Sequence, residues 1–99
     1  MASFGAEVEH TLGQEAAIER LRGFVEKVQE SSTEVKDMKG EWTDNVLTIS
    51  FRTFGMNISA KMAVEETQVV VDGTIPFAAI AFRGKIEQSI ASKLKEVLA

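Results

Sequence analysis

Between Met38 and Gly73 the sequence contains three reversals that can be registered against one another. A two-residue turn at Asp44 and Asn45, residues suited to a reversal needing positive φ, sets Trp42 opposite Leu47, Gly40 opposite Ile49 and Met38 opposite Phe51. A second reversal at Phe54 and Gly55 sets Phe51 opposite Ile58, Ile49 opposite Ala60 and Leu47 opposite Met62. A four-residue loop, Val64 to Thr67, then sets Met62 opposite Val69, Ala60 opposite Val71 and Ile58 opposite Gly73. Strand side chains alternate with a period of two, so a one-residue slip at any turn would send a whole apolar set into water. The mutual agreement of the turns therefore predicts a four-stranded antiparallel meander with one apolar face. Thr48, Ser50, Arg52, Asn57, Ser59 and Lys61 fall on the other face. The pattern loses phase around Val35 and Asp37, which predicts a bulge.

A sheet with one apolar face needs a cover, and the flanking segments supply it. Phe4, Ala6 and Val8 alternate with Gly5, Glu7 and Glu9, the pattern of a further short strand. Thr11 and Gln14 have capping-box spacing, which predicts a helix starting there, with Ala17, Leu21, Val25 and Val28 as its apolar stripe and Ser31 and Ser32 at its end. The last stretch, Ala78 to Leu98, repeats Phe82, Ile86, Ile90 and Leu94 at helical spacing, and Pro76 marks where this long amphipathic helix can begin. The expected fold class is α+β, in the order β-α-β-β-β-β-α: a largely antiparallel sheet with two helices packed on one face. Whether the first strand joins the second or the fifth is left open by the sequence.

Ninety-nine residues, 44% of them hydrophobic, suit a single domain spanning residues 1–99. Cysteine is absent and His10 is the one histidine, so a zinc site or a thiol nucleophile is not expected. The chain has no recognisable secretory signal and no stretch apolar enough to span a bilayer, so the expected compartment is the cytoplasm. A net charge of -4 argues against nucleic-acid binding, which needs clustered Lys and Arg. That charge is uneven. From Ala81 onward four cations and two acids give +2, so the remainder carries -4 minus +2, that is -6.

No constellation for catalysis, no cofactor motif and no metal-ligand set is found, and the chain is not expected to be an enzyme. His10, just before Thr11, reads as a structural or capping residue; Glu65 and Glu66 read as a solvated hairpin tip rather than a carboxylate pair for acid–base chemistry. Two other features carry a functional expectation. Phe77, Ile80 and Phe82 crowd the start of the last helix on more than one side, and Arg83 and Lys85 follow at once; an apolar patch beside cations suits an amphiphilic boundary or a partner groove. The alternative is a fully buried helix start. Gly40, Ala60 and Gly73 make part of the inner face small, near Trp42. Either a helix packs closely into that groove, or a cavity there takes an apolar ligand.

Read as an ordered set, the landmarks His10, Leu12, Gly13, Ala17, Trp42, Leu47, Phe51 and Gly55 resemble those of the polyhydroxyalkanoic acid system proteins, small bacterial proteins. The resemblance continues through Ile75, Pro76, Phe77, Phe82, Gly84, Ile86, Glu87, Ile90, Leu94 and Leu98, and so covers nearly the whole chain. It implies an association with polyhydroxyalkanoate storage granules or their control, and brings no catalytic or ligand residues with it. The resulting expectation is a non-enzymatic accessory or interaction protein. Its expected partner is the granule surface or another protein, met through Phe77, Ile80, Phe82, Arg83 and Lys85. The alternative is a carrier of acyl chains, bound near Gly40, Trp42, Ala60 and Gly73. Neither reading sets the oligomeric state.

Overall fold

Which side of the meander the helices cover, and how the first strand joins it, decide what is left at the surface. The computed structural model describes residues 2–31, 36–53 and 55–99. Ser32, Val35 and Phe54, which the sequence assigns to a helix end, a bulge and a reversal, lie outside them. Strand β1 (Ala2–Glu9) leads to helix α1 (Gln14–Ser31), followed by β2 (Lys36–Thr43), β3 (Val46–Thr53), β4 (Met56–Val64) and β5 (Gln68–Ile75). A 3₁₀ helix (Phe77–Phe82) and helix α2 (Arg83–Val97) complete the chain. This is the expected α+β order.

Among the described residues the strands form one sheet in the order β1-β5-β4-β3-β2, with every neighbouring pair antiparallel. β1 therefore lies beside β5, settling the pairing that the sequence left open. Trp42 faces Leu47, Gly40 faces Ile49, and Phe51 faces Ile58, as the turn arithmetic requires. The register shifts between Lys36 and Lys39, and Asp37 there has φ 53°, so the expected irregularity of β2 is present. At the β2–β3 turn Asp44 alone takes a positive φ, of 55°.

The β4–β5 hairpin corrects the expectation. Val64 pairs with Val69, Met62 with Val71 and Ala60 with Gly73, two residues away from the register anticipated for a four-residue loop beginning at Val64. The Glu65 amide also donates to the Gln68 carbonyl at 2.8 Å, which tightens the reversal further. The physical reason is burial. Val64 and Val69 are both fully enclosed, and leaving Val64 in a loop would remove a core side chain. Because the shift is two residues, the same face stays inside.

Both helices cover that inner face. Ala17, Leu21 and Val25 of α1 and Leu94 of α2, with Leu98 just beyond it, join the buried strand residues in one core. Leu21, Leu47, Ile58, Ile75 and Leu94 are its largest fully enclosed side chains, each stabilising the fold by about 1.5–3 kcal/mol relative to exposure. The opposite sheet face carries exposed Thr48, Ser50, Ser59, Lys61 and Thr74. The Ser59 and Thr74 hydroxyls there lie 3.0 Å apart. Burial along α2 is uneven: Leu94 is enclosed, whereas Ile86, Ile90 and Ala91 are half-buried. Arg20 of α1 donates to the main-chain oxygens of Val97 (3.1 Å) and Ala99 (2.6 Å), placing a cation at the negative end of α2. No described helix is long and apolar enough to cross a membrane.

Candidate interaction surface

Pro76, with φ -61° and ψ 153°, ends β5 in extended backbone and turns the chain into the 3₁₀ helix. The Ala79 amide then bonds the Pro76 carbonyl at 2.9 Å, and the Arg83 amide bonds the Ile80 carbonyl. The stretch from Ala78 was expected to be α-helical throughout; its first turns instead keep the tighter three-residue repeat and become α-helical at Arg83. The tight winding has a packing reason and a surface consequence. Ala79 is fully enclosed, and it is the one residue of this segment that turns into the core. In a 3₁₀ helix residues three apart lie in line, so Phe77 and Ile80 share one side, away from Ala79.

Phe77 is 68% exposed, Ile80 45% and Phe82 52%, the large apolar side chains most open to solvent among the described residues. A 3₁₀ rise of about 2 Å per residue keeps the three within roughly 10 Å along the axis, with Phe77 and Ile80 on one side and Phe82, three residues after Ala79, at the end of the segment. Arg83 and Lys85 are exposed immediately after it, and neither forms an ion pair among the described residues. The nearest acid in sequence points elsewhere: the Glu87 carboxylate accepts the Gly5 amide of edge strand β1 at 2.8 Å. Further along α2, Lys93 is matched by Glu96 at 3.7 Å. The five residues singled out from the sequence are therefore together and at the surface, and the charge beside the patch is positive.

The small-residue row is arranged differently. Gly40, Ile49, Ala60, Gly73 and Phe4 succeed one another across the inner face, and Trp42 lies in the next row with Leu47. A methyl group on Gly73 would overlap the Phe4 ring and lie 2.7 Å from the Ser59 carbonyl. One on Gly40 would meet Leu47 at 3.3 Å and Val25 of α1 at 3.6 Å. The close approach that the glycines permit is thus taken up by Phe4 and by α1. Trp42 is half-buried, with the Arg22 guanidinium 5.5 Å from its ring centre.

One polar cluster escapes a reading by local spacing. His10, only 7% exposed, pins the β1–α1 connection to the β4–β5 hairpin. Its main-chain amide donates to the Thr67 carbonyl at 2.9 Å. Its Nε2 lies 3.0 Å from the Glu65 carbonyl, and its Nδ1 accepts the Leu12 amide at 3.3 Å, the pattern of the tautomer that carries its proton on Nε2. Gly13, at φ 84°, then starts α1, and the first helical amide, Gln14, donates to Glu66 Oε2 at 3.3 Å. The Gln14 side chain reaches the Val64 carbonyl at 2.9 Å rather than folding back on Thr11. The expected capping box is therefore replaced by a cap from a distant hairpin, and Glu66, though exposed, has a structural partner. The Asn45 side-chain amide also donates to the Val64 carbonyl, at 2.9 Å. The cluster thus joins the β1–α1 junction (His10, Gln14), the β2–β3 turn (Asn45) and the β4–β5 hairpin (Glu66), three separate segments, so no local motif marks it. Both His10 ring nitrogens are committed to the backbone. Among the described residues no group of three or more acidic or histidine side chains is placed to hold a metal ion.

No curated protein and no solved structure matches the chain. A family model does, over residues 6–98, which takes in the His10 cluster, the full meander and the exposed patch. Its description is "Putative polyhydroxyalkanoic acid system protein", and the chain belongs to that family.

Proposed function

We propose that this protein is a non-enzymatic accessory or interaction protein of polyhydroxyalkanoate metabolism. It docks through Phe77, Ile80, Phe82, Arg83 and Lys85 on the storage-granule surface or on a protein held there. The observation that carries this reading is the exposure of three large apolar side chains on one short 3₁₀ segment. Burying such side chains stabilises a contact by about 1.5–3 kcal/mol each when enclosure is complete, so leaving them in water makes sense where something else covers them. Family membership supplies the setting. The carrier alternative draws no support from the inner row, because Phe4 and Val25 occupy the space beside Gly73 and Gly40.

The test is co-sedimentation of the purified protein with granules stripped of their native coat, at low and high salt, beside an inert small acidic protein. The expected result is saturable binding that weakens with salt, because Arg83 and Lys85 flank the apolar contact. Binding no greater than that of the inert protein contradicts docking on the bare granule surface, and the same result with granules that keep their coat proteins contradicts the proposal.

A further inference from the structure

We infer that the patch is built for an anionic phospholipid surface, on which the 3₁₀ helix lies flat with Phe77 and Ile80 below the headgroups and Arg83 and Lys85 among the phosphates. This rests on the reading of the patch as a docking surface and narrows its partner to a chemical class. A neutral polyester would satisfy the apolar side chains but offer the cations no counter-charge. Yet Arg83 and Lys85 form no ion pair among the described residues: the Glu87 carboxylate is turned to the Gly5 amide, and Glu96 sits beside Lys93.

The size of the patch points the same way. Three side chains on a six-residue 3₁₀ helix make a small apolar anchor, comparable to a single weak membrane signal, and such an anchor holds durably only when a second, electrostatic signal is added. The overall charge of -4 makes that second signal directional. Away from α2 the chain is net acidic and is repelled by an anionic surface, so this end faces the headgroups.

The experiment sediments the full-length protein with three partners in parallel: vesicles of phosphatidylglycerol mixed with phosphatidylcholine, vesicles of phosphatidylcholine alone, and phospholipid-free polyhydroxyalkanoate particles. The expected result is binding to the mixed vesicles that falls sharply on phosphatidylcholine alone. Arg83→Glu with Lys85→Glu should weaken mixed-vesicle binding by roughly thirtyfold or more, at about tenfold or less per neutralised cation and further by reversal. Phe77→Ser with Ile80→Ser should abolish it while the thermal melt stays near wild type, since both positions are exposed. Equal binding to the two kinds of vesicle, indifferent to the charge reversal, overturns the headgroup assignment. Binding to polymer particles with none to vesicles also overturns it, while leaving the granule-docking proposal intact. Binding to none of the three overturns the headgroup assignment and direct docking on the polymer.

Discussion

At the scale of single residues, two positions carry more than their neighbours. Replacing His10 with Ala strands the Leu12 amide and the Glu65 carbonyl in a nearly enclosed site. The expected destabilisation is about 1–3 kcal/mol, measured by urea denaturation at neutral pH. Gly73→Ala drives a methyl group into the Phe4 ring and toward the Ser59 carbonyl. The expected loss is again about 1–3 kcal/mol, the usual range for overpacking. Adding Phe4→Leu should recover part of it, because the two side chains contend for one space; additive losses in the double variant would mean that they do not. The sequence shows that Gly40, Ala60 and Gly73 are small and close, but not what approaches them. Phe4 is sixty-nine positions from Gly73, and only the pairing of β1 with β5 brings it there. His10 is similar: its place before Thr11 suggests a structural residue, while the Glu65 carbonyl that its ring meets lies 55 residues away.

At the scale of elements, the meander was legible because alternation and turn length constrain each other, so Trp42–Leu47 and Phe51–Ile58 pair as expected. The β4–β5 register was not, because shifts by two residues preserve the apolar face and only the burial of Val64 separates the candidates. The α1 cap was illegible for a different reason. Thr11 and Gln14 have the right spacing, but Gly13 turns into the left-handed region and Glu66 arrives from another hairpin. Glu66→Ala is accordingly expected to destabilise the protein by about 0.5–2 kcal/mol, like loss of an ordinary N-cap, and to speed hydrogen exchange at the Gln14 amide. Thr11→Ala should change neither. The exposed patch was partly legible: crowding at Phe77, Ile80 and Phe82 shows in the sequence, but the exposure of Phe77 and Ile80 follows from the 3₁₀ winding that turns Ala79 inward.

At the scale of the whole molecule, helices and sheet divide the surface into unlike regions. The sheet's outer face is mostly polar, with Thr48, Ser50, Lys61 and Thr74 in the open beside one half-buried apolar row, Val46, Ala63 and Val70. Glu87 ties α2 to the outer edge of β1, so this edge is guarded by a helix, a common protection against strand-to-strand association. Arg20 anchors the other end of α2 to α1. Held at both ends, α2 keeps the 3₁₀ segment fixed while leaving its apolar side chains in water. The fold thus presents the patch without depending on it for stability.

The most direct measurement is the affinity of Phe77→Ser with Phe82→Ser for coat-stripped granules, compared with wild type after equal thermal melts have shown that both are folded. The account predicts a loss of at least about tenfold, since each exposed aromatic contributes on the order of 1 kcal/mol or more when covered. A folded double variant that binds granules as tightly as wild type would contradict it and place the contact elsewhere on the molecule.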